Sequence, residues 1–239
     1  SLAVESPAMT IRIGLAWSRG PFEIINALGP AQALALVEAL CLRHPDLSPP
    51  DCLAAQARRG QPFTFSQVDL RIDAGVARIT LNRPERLNAL DPEMVGQLSA
   101  QLDRALATPG LRGIVLGATG KAFVAGADVA FFVRALEAGD LDRIVSFTEE
   151  GQALLSRIAD APVPVVARVH GLAMGGGVEL ALACHAIVCG PRASFALPET
   201  GIGIYPGLGG TQRLPRAVGR PLARRMILAG RGLSAQEAA

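Results

Sequence analysis

The chain has 239 residues, of which half are hydrophobic and 18% are charged. This composition is that of a globular protein with a substantial core, and it excludes disorder as the main state. The 23 lysines and arginines nearly balance the 21 aspartates and glutamates, giving a net charge of +2. Such a balance supplies no basic stripe to neutralise a run of phosphates, so nucleic acid is not an expected partner.

The cysteines and apolar segments bear on location. Four cysteines without CxxC spacing and only three histidines indicate neither a zinc or other metal site nor a disulfide framework, which favours a reducing, cytoplasmic location. Apolar stretches end well before the roughly 20 residues that span a bilayer, so we expect a soluble protein with no membrane partner. The chain begins at Ser1 and stops at Ala239 within an apparent helix start, so we expect a piece of something longer.

The first sixty residues have the pattern of helices. Apolar helical segments are predicted at Met9–Trp17 and Pro30–Leu42, and Pro21 stands where proline suits a helix start. Proline, glycine and charge then interrupt the apolar periodicity. We therefore predict a small all-helical segment over residues 1–62 and a second domain over residues 63–239.

In the second domain, strands alternate with helices. The pattern predicts strands at Val68–Ile72, Val76–Leu81, Gly113–Leu116, Val163–Val169 and Ile187–Val188. It predicts helices at Asp91–Ala107 and Val178–Cys184 and a long helical region at Ala127–Ala161. This alternation is typical of an α/β fold with a mostly parallel sheet covered by helices.

Three glycines, Gly175–Gly177, follow a predicted strand and precede a helix with Glu179 in its first turn. Backbone N–H groups at a helix N-terminus are unpaired, and glycine lets a ligand approach them closely. The segment can therefore bind an anion or a developing oxyanion. It can equally be a tight turn in which Glu179 merely favours the helix dipole.

A second turn of small residues precedes Asp128, which could cap the next helix and do nothing more. If this turn and the glycine run faced one point, two N–H donors would meet one carbonyl oxygen, as in an oxyanion hole.

Glu199 lies between Pro198, apolar residues and glycines. A carboxyl group in such surroundings should have a raised pKa, which suits general acid or base work near neutral pH. A lone acid in a loop can also be structural. Together with Glu179, however, one acid and one base could handle both protons of a water molecule.

These segments together resemble the crotonase family, the enoyl-CoA hydratases and isomerases. The motifs that carry the resemblance are, in chain order, Leu81-Asn-Arg-Pro-Glu-Arg-Leu-Asn-Ala-Leu90, Ala125-Gly-Ala-Asp128, His170-Gly-Leu-Ala-Met-Gly-Gly-Gly-Val-Glu179, Pro198-Glu199 and Gly207-Leu-Gly-Gly-Thr-Gln-Arg-Leu-Pro215. The resemblance implies a crotonase-like β/α spiral core that is truncated at the C-terminus.

The resemblance implies that backbone N–H groups of Ala127 and Gly176 hold a thioester carbonyl, and that Glu179 and Glu199 bind the attacking water. Because both acids are present, it implies a hydratase that adds water syn to a trans-2-enoyl-CoA and gives 3-hydroxyacyl-CoA, in β-oxidation or a related pathway. Coenzyme A is part of the substrate, and no cofactor is implied. A double-bond isomerase using Glu199 alone and a non-catalytic acyl-CoA-binding module are the alternatives.

The resemblance also implies a set of substrate contacts, of which the turn from Arg86 to Ala89 serves the coenzyme A largely through its backbone. The full set is Arg86, Leu87, Ala89, Ala125, Asp128, Val129, Gly175, Pro198 and Gly207. Family members continue with further helices that close the acyl pocket and build the oligomer, so a homotrimer or hexamer is implied where those helices are present.

The stretch from Ile13 to Gly29 is similar to the C-terminal helical domain of 3-hydroxyacyl-CoA dehydrogenases. This likeness implies a fragment of a bifunctional β-oxidation protein that hydrates and then oxidises. No GxGxxG motif follows a strand in this chain, so the chain itself is not expected to bind NAD.

Overall fold

The computed structural model describes residues 20–63 and 65–239. The chain divides into two compact units, one ending at Ser66 and the other running from Gln67 to Ala239. The predicted helix at Met9–Trp17 and the first residues of the Ile13–Gly29 stretch lie outside the described residues.

In the first unit the described residues form three helices: α1 (Pro21–Leu28), α2 (Pro30–Arg43) and α3 (Asp51–Arg59). Their core is small, with Ala33, Leu53 and Phe63 buried. The side chain of Asn26 bonds both the backbone N–H and the C=O of Phe63, at 2.7 and 2.8 Å. These contacts hold the segment after α3 against α1.

Within the described residues, no single helix has both the length and the apolar composition needed to cross a membrane. Helices α1 and α2 meet that requirement only as a pair, with a bend of 109° between them.

The second unit contains two sheets, which helices cover. The larger sheet has five strands in the order β1-β2-β3-β5-β7. Its strands are β1 (Val68–Asp73), β2 (Val76–Leu81), β3 (Gly113–Ala118), β5 (Val165–Val169) and β7 (Ala186–Cys189). Strands β1 and β2 form an antiparallel hairpin, and the remaining neighbours pair in parallel. The predicted mostly parallel sheet is confirmed.

The smaller sheet has four short strands in the order β4-β6-β8-β9. These are β4 (Ala122–Ala125), β6 (Leu172–Met174), β8 (Ser194–Ala196) and β9 (Leu233–Ser234). Strands β4, β6 and β8 are parallel, and β9 closes the edge antiparallel to β8. Each of β4, β6 and β8 directly follows a strand of the larger sheet, so the chain winds through both sheets in repeated turns of a spiral.

Helices follow each turn of the spiral: α4 (Pro92–Leu106), α5 (Val129–Glu137), α6 (Leu141–Ala159), α7 (Gly176–Ala183), α8 (Gly210–Val218), α9 (Arg220–Ala229) and α10 (Ala235–Ala238). Apolar side chains of both sheets and of these helices share one core, in which Leu116, Phe123 and Leu155 are almost fully buried. The α/β spiral expected from the sequence is confirmed.

The helical region predicted over Ala127–Ala161 is confirmed, and it consists of two helices, α5 and α6. Gly139 has a left-handed backbone (φ +69°) between α5 and α6, a conformation that glycine adopts without strain. Asp140 then starts α6 by accepting a hydrogen bond from the N–H of Arg143 at 3.2 Å. The helix predicted from Val178 begins two residues earlier, because Gly176 and Gly177 already belong to it.

Candidate active site

Three parallel strands of the smaller sheet end side by side. Ala125 of β4 pairs in register with Met174 of β6, and Met174 pairs with Ala196 of β8. Ala127 and Gly176 lie two residues beyond the ends of β4 and β6, and Glu199 lies three residues beyond the end of β8. The topology thus gathers three predicted site residues at one sheet edge, where ligands bind in many parallel sheets.

The backbone N–H groups of Ala127 and Gly176 belong to residues that lie close together. A methyl carbon placed on Gly176 would lie 4.0 Å from the Ala127 nitrogen. Within residues 20–63 and 65–239, neither N–H donates a hydrogen bond to another group. Gly176 is the first residue of α7, where the N–H has no partner within the helix.

The two peptide groups that carry these N–H donors also accept hydrogen bonds through their carbonyl oxygens. The carbonyl of Gly126 accepts from the N–H of Leu90 at 2.9 Å. The carbonyl of Gly175 accepts from Val178 and Glu179 at 2.8 and 3.1 Å. A peptide whose carbonyl accepts a hydrogen bond has a more polarised N–H, so both donors suit an oxygen that gains negative charge.

Glu179 is buried, with only 1% of its surface exposed. Its Oε1 accepts hydrogen bonds from the N–H groups of Leu208 and Gly210, both at 2.7 Å. Burial raises the pKa of Glu179 from 4.5 to about 7, against the lowering effect of the two backbone bonds; the Glu199 carboxylate raises it further, and Arg213 lowers it. The side chain is therefore fixed in position, and its raised pKa favours the protonated form more than in an exposed glutamate.

Glu199 opens a short 3-10 turn, Glu199–Ile202, and is 9% exposed. Among the described residues, its buried Oε2 has no hydrogen-bond partner. Its carboxyl group lies against Gly175, where a methyl carbon would be 2.8 Å from Oε1. Burial raises the pKa of Glu199 above 4.5. This carboxyl group has an oxygen available for a water molecule or a substrate proton.

The predicted substrate contacts surround this edge. Arg86 and Leu87 are exposed on the turn after β2, Ala89 is buried below them, and Val129 is exposed at the start of α5. Ala125, Gly175 and Pro198 stand within two residues of Ala127, Gly176 or Glu199 in the chain, and Gly207 precedes Leu208, whose N–H binds Glu179. The carbonyl of Leu87 accepts from the N–H of Ala125 at 3.1 Å, which places the turn after β2 beside the end of β4.

Asp128 differs from the other predicted contacts, because its carboxylate has partners inside the protein. Oδ1 accepts from the N–H of Ala130 at 3.0 Å, and Oδ2 accepts from Arg83 at 3.0 Å. The predicted helix cap is confirmed by the first of these bonds. The side chain is 10% exposed and serves the fold around the site.

Sequence reasoning missed residues that hold the site together. Asn88 is fully buried, with a left-handed backbone (φ +56°) and side-chain bonds to the carbonyls of Thr119 and Ala122, both at 2.9 Å. Arg213 donates to the carbonyl of Leu208 at 2.9 Å and so supports the loop that binds Glu179. Both residues belong to the motifs that carry the family resemblance. Their spacing does not indicate, however, which carbonyl each side chain bonds.

A groove of about 480 Å³ lies on α8 and α9. It is lined by Thr211, Gln212, Pro215, Arg216, Arg220, Ala223, Arg224, Ile227 and Leu228. This lining does not include Ala127, Gly176, Glu179 or Glu199. The candidate active site at the strand ends is therefore distinct from this groove.

Comparisons with known proteins agree with this geometry. The family model described as enoyl-CoA hydratase/isomerase matches residues 71–239. A probable enoyl-CoA hydratase of Bacillus subtilis (strain 168) is 40% identical over 174 residues, 73% of this chain and 66% of that protein. A probable enoyl-CoA hydratase of Mycobacterium tuberculosis (strain CDC 1551 / Oshkosh) is 37% identical over 176 residues, 74% of this chain and 66% of that protein.

Solved structures are similar over the same region. The enoyl-CoA hydratase from Bacillus anthracis superposes with a TM-score of 0.67 at 34% identity, covering 72% of this chain and 66% of that one. The enoyl-CoA hydratase from Thermoplasma volcanium GSS1 gives 0.67 at 36% identity, covering 72% and 67%. The chain spans slightly less than two thirds of the length of the curated relatives named above. On its sequence and its fold, the chain belongs to the enoyl-CoA hydratase/isomerase family.

Proposed function

We propose that this chain carries the catalytic centre of an enoyl-CoA hydratase, which adds water to a trans-2-enoyl-CoA. One observation carries the proposal: two buried glutamates, Glu179 and Glu199, lie beside two unpaired backbone N–H groups, those of Ala127 and Gly176. Hydration of a conjugated thioester needs both the carboxyl groups and the N–H donors. One proton must leave the water and one must reach the α-carbon, while negative charge develops on the thioester oxygen.

In the proposed reaction, the thioester oxygen accepts hydrogen bonds from Ala127 and Gly176. Water oxygen bonds to the β-carbon and gives up one proton to the ionised glutamate. The electron pair of the Cα=Cβ double bond forms a double bond between the α-carbon and the thioester carbon, and the C=O pair moves to the thioester oxygen. The resulting enolate then takes a proton at the α-carbon from the other, protonated glutamate, as the C=O bond is restored. The two glutamates hold one proton between them before and after the reaction, so atoms and charges balance.

The surroundings of the glutamates support this shared proton. Like charges close together oppose simultaneous ionisation, and the Glu199 carboxylate raises the pKa of Glu179. In this proposal the pair carries one proton, and each carboxyl group can take either role as the proton moves. Glu179 is anchored through Oε1, which leaves its second oxygen for the water molecule.

The test is whether the chain hydrates crotonyl-CoA. The reaction is monitored through the loss of absorbance of the conjugated thioester. Hydration to 3-hydroxybutyryl-CoA is the expected result. Conversion of a 3-enoyl-CoA to the 2-enoyl-CoA without hydration would instead support a double-bond isomerase that uses Glu199 alone. Binding of the ester without turnover of either substrate would support a non-catalytic acyl-CoA-binding module.

We propose that acyl-CoA is held through the positions implied by the family resemblance, from Arg86 to Gly207, and that the reaction uses no metal and no redox cofactor. Assembly into a homotrimer or hexamer, a cytoplasmic location and a role in β-oxidation are also proposals. They follow from family membership and cysteine usage.

For residues 1–62, the proposal is the end of a 3-hydroxyacyl-CoA dehydrogenase C-terminal domain, as part of a bifunctional protein. The three helices described between Pro21 and Arg59 are compatible with such a domain. Because no GxGxxG motif follows a strand in this chain, we expect the chain not to bind the nicotinamide cofactor. A titration with NADH, monitored by the fluorescence of NADH, tests this. Measurable NADH binding would contradict that expectation.

A further inference from the structure

Arg83 belongs to the turn after β2, and its side chain reaches Asp128 in the segment that carries Ala127. Its Nη1 is 2.7 Å from Oδ2 of Asp91, and its Nη2 is 3.0 Å from Oδ2 of Asp128. The same Nη1 donates to the carbonyl of Ala89 at 3.3 Å. The three charged side chains are only 10–16% exposed, so solvent screens these ion pairs weakly.

Each of the two acids also begins a helix. Oδ1 of Asp91 accepts from the N–H of Met94 at 2.9 Å in the first turn of α4. Oδ1 of Asp128 accepts from the N–H of Ala130 at 3.0 Å in the first turn of α5. The Arg83 guanidinium therefore bridges the N-termini of two helices, and its planar fork suits two carboxylates better than an ammonium would.

The bridge flanks the peptide group that presents the Ala127 N–H. Leu90 donates to the carbonyl of Gly126 at 2.9 Å and accepts from the N–H of Asp128 at 2.8 Å. No peptide bond among the described residues is cis, and in a trans peptide the C=O and N–H point in opposite directions. The Ala127 N–H is therefore directed away from Leu90, toward Gly176.

We propose that Arg83 is a positioning residue for the reaction. By joining Asp91 and Asp128 on either side of the Leu90–Ala127 pairing, it fixes the direction of the Ala127 N–H that receives the enolate oxygen. Arg83 itself touches no reacting atom. This inference rests on the proposed function, because it assigns the Ala127 N–H to the thioester oxygen.

The test compares Arg83→Lys, Asp91→Asn and Asp128→Asn with the wild-type chain. Asparagine caps a helix about as well as aspartate, so the two Asn variants keep the helix starts while they remove an ion pair. Lysine keeps the positive charge but reaches one acid at a time. Arg157→Gln is the matched control, because it removes another arginine–aspartate pair, with Asp103, which is more exposed and joins α6 to α4.

Two quantities are measured: kcat and KM for crotonyl-CoA, and the absorption of a bound aromatic enoyl thioester. That absorption moves to longer wavelength when the carbonyl oxygen accepts hydrogen bonds. We expect kcat to fall by about tenfold to 10²-fold in the three variants, since a small misplacement of a catalytic group costs on the order of 10². KM should stay near its wild-type value, because the rest of ground-state binding is kept, and the spectral shift should shrink.

A spectral shift that stays at the wild-type value in all three variants would overturn the inference, whatever happens to kcat, because a structural role alone leaves the carbonyl's polarisation unchanged. The absence of any spectral shift in the wild-type chain would overturn it as well. If the wild-type chain shifts the spectrum but does not hydrate crotonyl-CoA, the hydratase proposal fails, and the spectra of the variants still decide the role of Arg83.

Discussion

The two glutamates at the site are neighbours with different supports. Glu179 stands in the first turn of α7, and two N–H groups of the loop at Leu208–Gly210 hold one of its oxygens. Glu199 stands on a 3-10 turn, and its Oε2 has no partner among the described residues. The comparison indicates that one acid is anchored by the backbone, while the other keeps an oxygen free to exchange a proton.

The contrast also explains the glycines around the two acids. Gly175 leaves room for the carboxyl group of Glu199, and Gly210 leaves room for Glu179. In each case a methyl group would come within 3.0 Å of a carboxyl oxygen, so a side chain at either position would move the acid. Glycine is needed here for close approach, and at Gly175 also for its left-handed backbone (φ +50°).

The largest effect is expected from Glu199→Gln, which removes the acid with the free oxygen. Without a group that moves the proton, kcat for crotonyl-CoA should fall by on the order of 10² to 10⁴. Binding of butyryl-CoA, measured by calorimetry, should change little, because the carbonyl donors remain. The matched control is Glu150→Gln on the exposed face of α6, where kcat should stay at the wild-type value. Turnover at the wild-type rate in Glu199→Gln would contradict the proposed chemistry.

A smaller loss is expected from Gly210→Ala, which displaces the anchored acid without removing it. The new methyl carbon would lie 2.9 Å from Cγ and 3.0 Å from Oε1 of Glu179, and 3.1 Å from Cβ of Pro206. We expect kcat to fall by on the order of 10², as for a catalytic group displaced by a fraction of an ångström to an ångström. Gly96→Ala on α4, where a methyl group meets nothing within 4 Å, is the control. Equal activity of the two variants would show that the position of Glu179 matters little.

The last effect leaves the rate aside and concerns stability. Burial raises the pKa of Glu179 from 4.5 to about 7, so protonation favours the folded state. This contribution is fully present below pH 4.5 and is lost as the pH rises through about 7. At about 1.4 kcal/mol for each unit of pKa, the loss is about 3 kcal/mol.

Glu179→Gln removes that dependence while keeping an oxygen for the N–H groups of Leu208 and Gly210. Relative to the wild-type chain, its free energy of unfolding in urea should therefore rise between pH 4.5 and pH 8. The surface variant Glu150→Gln should follow the wild-type curve. A constant difference between the Glu179→Gln and wild-type curves over this range would mean that Glu179 titrates as it does in an unfolded chain.

Much of the site could be predicted from sequence because its groups belong to short motifs. Glycines before a helix predicted the N–H of Gly176, and the surroundings of Glu199 predicted its raised pKa. The smaller sheet was not predicted, because β6 and β8 have three residues each, too few for a periodic pattern. Yet that sheet is what brings Ala127, Gly176 and Glu199 together.

Long-range contacts were equally beyond prediction from local pattern. The pairing of Leu90 with Ala127 joins positions 37 residues apart, and Asn88 bonds carbonyls more than 30 residues away. The break between α5 and α6 could not be placed within the predicted helical region for another reason: a single glycine, Gly139, is often tolerated within a helix, and its left-handed backbone is a property of the fold.

The central claim is that Glu179 and Glu199 share one proton, and ¹³C NMR titration of the Glu179 carboxyl carbon tests it most directly. In the wild-type chain, the midpoint should lie at about 7. In Glu199→Gln it should fall, because the neighbouring negative charge that raises the pKa of Glu179 is gone. A midpoint in Glu199→Gln equal to that of the wild-type chain would contradict the shared proton and with it the proposed roles of both acids, because burial alone would then raise the pKa of Glu179.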